Sequence, residues 1–172
     1  MEDEASVPAR EVFEGHVIRV EVLARPEGDY DVVRHPGAAA VLPITPQGDV
    51  LLVRQFRPAI GGLLVEIPAG LLDQPREDAL SCAVRELWEE TGYRHETVEF
   101  LGGYLSSAGF TDEYVHLFVA TTAAQPEGPP EEGIELMRKP FGELVASARA
   151  GRIRDVKTAV SLLLAETRGY GS

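Results

Sequence analysis

Apolar and polar residues follow three regimes along this chain. Up to Gly37, Val17 to Leu23 alternates as a strand and Tyr30 to His35 as another, joined by a turn through Pro26, Glu27, Gly28 and Asp29. Met1 to Ser6 reads as a frayed acidic tail. After Pro36 and Gly37 the runs become densely apolar: Ala38 to Ile44, then Val50 to Phe56 across the turn Pro46, Gln47, Gly48, Asp49, and Leu63 to Ile67 after Gly61 and Gly62. Val98 to Tyr104 and Tyr114 to Ala120 are two further strand candidates, and a loop with Pro126, Gly128, Pro129 and Pro130 precedes another at Gly133 to Met137. The third regime is helical, at Phe141 to Ala150 and at Asp155 to Thr167, the second with Val156, Ala159, Val160, Leu163 and Leu164 at core spacing. Strands mixed with a few helices predict a layered α/β or α+β domain.

One helix stands apart. Asp78 is a candidate N-cap, the residues from Ala79 to Thr91 are good helix formers, and Gly92 follows the last periodic position. At 100° per residue, Leu80, Ala83, Val84, Leu87 and Thr91 share one face, while Glu86, Glu89 and Glu90 are expected on roughly the opposite one. A helix C-terminus already carries partial negative charge, which disfavours each acid there by roughly 0.3 to 1 kcal/mol. Glu86 and Glu90, at i and i+4, repel by roughly another 0.2 to 0.5 kcal/mol. A hard divalent cation reverses both costs, because Mg²⁺ and Mn²⁺ prefer carboxylate oxygens and act together with substrate phosphates. The alternative is a solvated acidic face that happens to end in a cap.

Composition narrows the classes. With 172 residues, 44% of them hydrophobic, the chain is long enough for one compact domain with a small appendage. Its net charge of −12 argues against a nucleic-acid partner held by a basic surface. Cys82 is the only cysteine, so no intramolecular disulfide can form; it reads as a packed residue rather than a nucleophile. No run is long enough for a transmembrane helix, and the acidic start is unlike a signal peptide, so a soluble cytoplasmic protein with no membrane partner is expected.

Gly70, Glu77, Arg85, Glu86, Leu87, Glu89, Glu90, Gly92 and Tyr93 together resemble the signature box of Nudix hydrolases, enzymes that hydrolyse a nucleoside diphosphate linked to another moiety. Between Gly70 and Glu77 the chain carries one residue more than the family pattern, read as a loop insertion. The resemblance implies an α/β/α sandwich with a mixed sheet over residues 38–172, and it covers nearly the whole chain from about Phe13. Three further segments resemble ADP-ribose pyrophosphatases: Arg54, Gln55, Phe56, Arg57, Pro58; Glu66, Ile67, Pro68, Ala69, Gly70; and Ser107 through Glu113. In the last, Ala108 replaces the proline that often marks the subgroup. Within that subgroup an N-terminal strand element takes part in a domain-swapped homodimer, and residues 1–37 suit the part.

The resemblance also implies roles. Glu86 and Glu90 are the expected metal ligands, joined by Glu89 and by the carbonyl of Ala69, for Mg²⁺ or Mn²⁺ and more than one ion. Arg85 is the orienting residue, whose fork could hold Glu77; otherwise it is an i, i+4 partner of Glu89. Arg57, and less directly Arg54, would contact substrate, against the bland reading of edge-strand charges. Ser107, Gly109 and Glu113 match positions near ribose and phosphates, and Ile18 a position near adenine. The general base stays open. Aligning on Ile134 puts Glu132 on the second acid of the family's late loop and Pro130 on the first, so either Glu131 takes the role or the metals with Glu89 and Glu113 suffice. The histidines, His16, His35, His95 and His116, are assigned none. The expected activity is hydrolysis of ADP-ribose to AMP and ribose 5-phosphate. Its rivals are a broader nucleoside diphosphate sugar pyrophosphatase and a non-catalytic nucleotide sensor, the latter disfavoured because all three signature acids are present.

Overall fold

The computed structural model describes residues 9–171, so the acidic tail lies outside the described residues. Three strands, β1 (Ala9–Glu14), β2 (Arg19–Arg25) and β3 (Gly28–Arg34), make a small antiparallel sheet. Its first strand was not foreseen, because a bulge between Glu11 and Phe13 interrupts the alternation that would announce it. The larger sheet contains β4 (Ala38–Ile44), β5 (Asp49–Arg57), β6 (Gly62–Glu66), β7 (Ala69–Leu71), β8 (His95–Leu105), β9 (Tyr114–Thr122) and β10 (Glu135–Pro140). Its order is β10-β5-β4-β9-β8, with β6 on β5 and β7 on β4. Only β4 and β9 run parallel, so the sheet is mixed.

The strand β4 is apolar without a break because both its faces are covered. Ala39 and Val41 pack with Cys82, Ala83 and Leu87 of helix α1 (Ala79–Thr91), and with Phe118 and Ala120. Ala38, Ala40, Leu42 and Ile44 point the other way, into a core with Leu144 and Val145 of α2 (Phe141–Arg149) and Leu162 and Ala165 of α3 (Val156–Thr167). This is the expected α/β/α sandwich. Among the described residues no helix is long and apolar enough to cross a membrane.

A split in the sheet creates the site. Strand β4 is in register with β5 only at Ile44 and Val50; nearer its start, Ala38 to Ala40 pair with β7 instead. The segment Glu66 to Ala69 crosses this opening, and the C-terminal half of α1 lies against it. The extra residue after Gly70 is taken up in a reverse turn. Glu77 N–H donates to Gln74 carbonyl at 3.2 Å, Pro75 holds the second position, and Arg76 has φ 68°, the left-handed conformation that a type II turn needs there. An arginine in that conformation costs roughly 1 to 2 kcal/mol, against roughly 0.5 to 1 kcal/mol for the greater freedom a glycine loses. Arg76→Gly is therefore expected to raise unfolding stability by up to about 1 kcal/mol and Arg76→Val to lower it, read from urea denaturation.

Candidate active site

Helix α1 starts where expected: Asp78 accepts from Ser81 N–H at 2.7 Å. It ends at Gly92, whose φ of 73° lets its N–H reach the Trp88 carbonyl at 2.8 Å. A Cβ at Gly92 would meet the Gly128 carbonyl, which ties the helix end to the proline-rich loop. The assignment of faces needs correction. The buried residues of α1 are Cys82, Ala83, Glu86, Leu87, Glu90 and Thr91, so two of the three acids lie within the covered arc rather than opposite it. Two walls, β4 and β7, cover the helix instead of one, which turns the buried arc toward the acids and leaves Leu80 47% exposed at its edge.

Glu86 and Glu90 sit in this second contact. The Glu86 carboxylate lies against Gly70, where any Cβ would collide with it. Any larger residue here would displace the Glu86 carboxylate from its place. Glu90 accepts from the Gln55 amide at 3.2 Å and from Ala69 N–H at 3.2 Å. Burial pushes the Glu86 carboxyl above the usual range, with Glu89 and Glu131 adding repulsion against the pull of Arg85. Burial pushes Glu90 up to about 7, with Glu86 adding to it. Two adjacent carboxylates that resist ionisation favour a divalent cation, and their hard oxygen donors suit Mg²⁺ or Mn²⁺.

Arg85 does both jobs weighed for it. Its Nε and Nη2 grip both oxygens of Glu77 at 2.8 and 2.9 Å, while Nη1 reaches Glu86 at 2.5 Å and Glu89 at 2.9 Å. The guanidinium is thus the hub of three carboxylates, and Glu77 is held below the ordinary carboxylate range by its hydrogen bonds to it. Because Nη1 lies between Glu86 and Glu89, no three acidic, histidine or cysteine side chains converge on one point among the described residues. Glu89 faces solvent on the Arg85 side, 46% exposed. Glu86 and Glu90, with the Ala69 backbone beside them, fit a cation as the core of a ligand set, and Glu89 fits as an outer member.

Other residues fall around this centre. Glu131 N–H donates to the Glu89 carbonyl at 2.9 Å, and its charge is felt by Glu86, so the late loop is fastened to the end of α1 with Glu131 at the acid cluster. Glu132 is exposed and makes no ion pair among the described residues. Arg57 donates from Nε to Glu66 at 2.6 Å, and its charge also acts on Glu90. Arg54 is drawn away, bonded to its cross-strand neighbour Glu135 at 2.9 Å. In the β8–β9 loop, the Ser107 carbonyl accepts from Phe110 and Thr111, both at 3.1 Å, and Gly109 is exposed with open space beside it. Glu113 stands 3.8 Å from His35 Nε2. Ile18 lines a groove of about 430 Å³ with Arg34, His35 and Asp112.

That groove lies where the two sheets join. Val33 N–H donates to the Phe110 carbonyl at 2.7 Å, Asp112 accepts from His35 N–H at 2.8 Å, and Arg34 reaches the same carboxylate at 3.1 Å. His35, given no role from sequence, is thus part of the junction that positions the Ser107 to Glu113 loop. Gln55 and Glu66 stand in the motif segments but were given no role, and Lys157 and Thr158 were not singled out at all. Glu66 was visible as an acid ending an apolar strand, and Asp155 with Thr158 as an N-cap pair, but their meeting is purely tertiary. Cys82 is a packed residue, as expected: its thiol lies 3.4 Å from the Leu71 carbonyl and burial pushes its pKa up to about 12.

The titration of Glu90 gives a testable sign. Its folded pKa of about 7 lies above the ordinary 4.5, so the folded state holds the proton more tightly. The resulting stability is fully present below about pH 4.5 and lost as pH rises through about 7. In chelated buffer, Glu90→Gln should therefore be more stable than the parent at pH 8, by roughly 1 to 3 kcal/mol, with little difference at pH 4.5. Thermal or urea unfolding across that range checks it, and a gain of equal size at both pH values would refute it.

Comparison with known proteins finds similarity over most of the chain. The NUDIX domain family matches residues 33–157. An ADP-ribose pyrophosphatase of Bacillus subtilis (strain 168) is 34% identical over 169 residues, covering 93% of this chain and 91% of the relative. A methanol dehydrogenase activator of Bacillus methanolicus is 35% identical over 169 residues, with the same coverage of 93% and 91%. A GDP-mannose pyrophosphatase of Cronobacter sakazakii (strain ATCC BAA-894) is 36% identical over 166 residues, covering 86% and 85%.

Proposed function

This chain belongs to the Nudix hydrolase family, and from that premise we propose that it hydrolyses ADP-ribose to AMP and ribose 5-phosphate with the help of Mg²⁺ or Mn²⁺. The observation that carries the proposal is the placement of Arg57, a cation held by Glu66 near enough for its charge to act on Glu90, one of two buried carboxylates that favour a metal. A diphosphate bound there would lie between fixed positive charge and bound cation. The bond broken is the phosphoric anhydride, and the attacking oxygen comes from water.

Glu86 and Glu90 would hold the metal, with the Ala69 carbonyl and Glu89 completing its protein ligands. When bound, the ion neutralises the diphosphate and lowers the pKa of water. The protein supplies the rest. Arg85 fixes Glu86 and Glu89 through Nη1 while its other two nitrogens stay on Glu77, so the acids are oriented without needing a ligand. Gln55 holds one oxygen of Glu90 and the Ala69 N–H the other, which fixes the carboxylate in place. Glu131, close enough to act on Glu86, is the residue we assign to take the proton from water; Glu113 is engaged at the His35 junction instead. Ser107, Gly109 and Ile18 would line the ribose and adenine side.

A second substrate is favoured by a specific observation. The relatives include enzymes named GDP-mannose pyrophosphatase at similar identity, and Ala108 stands where the ADP-ribose marker proline is often found. Steady-state rates on ADP-ribose, GDP-mannose, other nucleotide sugars, dinucleoside polyphosphates and NADH, with and without Mg²⁺, decide between them. We expect ADP-ribose to have the highest kcat/KM, all activity to vanish in chelator, and Glu86→Gln to fold but lose kcat by orders of magnitude. Equal turnover of several nucleotide sugars would overturn the substrate assignment.

We also propose a cytoplasmic homodimer built on the small sheet. Val12, Phe13, Val17 and Tyr30 there are 45% to 55% exposed, a concentration of apolar surface that a second copy would cover. Sedimentation should give a dimer at micromolar concentration, and Phe13→Glu should give a monomer. A monomeric parent protein would sink this part.

A further inference from the structure

Lys157 lies in the first turn of α3, far in sequence from the signature acids. Its ammonium donates to Asp155 at 2.7 Å and to Glu66 Oε2 at 3.1 Å, with the side chain only 20% exposed. Glu66 has no exposed surface and gives its other oxygen, Oε1, to Arg57 Nε. One buried carboxylate is thus shared between a cation beside the candidate active site and a cation behind it.

Nothing about α3 itself calls for a lysine there. The helix is already capped by Asp155 Oδ2, which accepts from Thr158 N–H at 2.9 Å and from the Thr158 hydroxyl at 2.6 Å. A positive charge in the first turn opposes the helix dipole. Burying an ammonium is costly, and an apolar residue of similar size is often as good for stability. Burial works to lower the Lys157 pKa, but the nearby carboxylates of Asp155 and Glu66 overcome it and raise the value, so the charge is kept.

The use of that charge is visible at Arg57. A carboxylate with both oxygens available takes an arginine in a bidentate grip, which would consume two guanidinium nitrogens. With Lys157 on Oε2, Glu66 offers Arg57 one oxygen, which takes Nε, and neither terminal nitrogen of Arg57 makes a hydrogen bond among the described residues. We propose that Lys157 is a positioning residue for substrate binding: by occupying the second oxygen of Glu66 it confines Arg57 to a one-point contact and keeps its terminal nitrogens directed at the diphosphate. This rests on the proposal that Arg57 contacts substrate. The same segment is tied to α3 a second time, since Ile67 N–H donates to the Thr158 hydroxyl at 2.9 Å.

The test is a mutant cycle on the Mg²⁺-loaded enzyme, with whichever nucleotide sugar it turns over best. Lys157→Met should raise KM by about 10- to 100-fold with kcat changed by only a few-fold, because what is lost is placement of a binding group. Lys157→Arg, which keeps a donor for Glu66, should recover most of that loss. Arg57→Lys, which has no fork to misplace, should raise KM by itself and make Lys157→Met nearly silent in its background. Mn²⁺ affinity measured by electron spin resonance should stay at the parent value in Lys157→Met. If Lys157→Met does not fold, Lys157→Ala enters the same cycle, since it likewise frees Oε2 of Glu66 and keeps the helix turn. A parent-like KM in the Lys157 variant, or an undiminished effect in the Arg57→Lys background, would overturn the inference while leaving Arg57 in place. A parent-like KM in Arg57→Lys would remove the role of Arg57 and the inference with it.

Discussion

The structure turns on the burial of two carboxylates at the negative end of a helix. Glu86 and Glu90 pay no visible return in packing, oppose the α1 dipole and repel each other, yet they are more buried than most charged groups in the protein. The surrounding architecture can be understood as what makes that placement tolerable. The split between β4 and β5 opens the space, β7 supplies the Ala69 N–H, Gln55 supplies an amide, and Gly70 leaves room for the Glu86 carboxylate. Each of these is a small local device. Together they hold two carboxyl groups where protonation or a bound cation relieves the cost of their charge.

A second layer keeps the charges from collapsing onto one another. Arg85 links Glu77, Glu86 and Glu89, so three acids share one guanidinium and the signature loop is tied to the helix it precedes. The loop turns at Pro75 and Arg76 and delivers Glu77 to both of the nitrogens that Arg85 turns toward it. On the far side, Glu66 serves Arg57 and Lys157 in the same way. The site is thus bounded by two hubs of opposite sign, an arginine among acids and an acid between cations.

Much of this was legible in the sequence where local rules are strong. Asp78 and Gly92 marked the ends of α1 because capping chemistry depends on few neighbours, and the densely apolar run from Ala38 to Ile44 marked strand β4, which the structure covers on both faces. Glu86 and Glu90 were placed opposite the apolar stripe although, at 100° per residue, they lie on its flank, roughly 115° and 75° from its centre; Glu89 alone is truly opposite, and it is the exposed one. Glu86 and Glu90 are covered by the short strand β7, whose three residues give no periodic signal. Gln55, Glu66 and Lys157 escaped for a different reason. Each is an ordinary polar residue by itself, and their roles exist only once residues 55 and 90, or 66 and 157, are brought together.

The position of Cys82 has a consequence for how the protein can be watched. Its thiol is sealed between α1 and the carbonyls of Gly70 and Leu71, on the same helical row as Glu86 and Glu90. Since it is the only sulfhydryl in the chain, it reacts with a thiol reagent only when that contact opens. The rate of its modification is thus a built-in clock for the parting of the signature loop from its helix, readable in the unaltered protein without any label on the site itself.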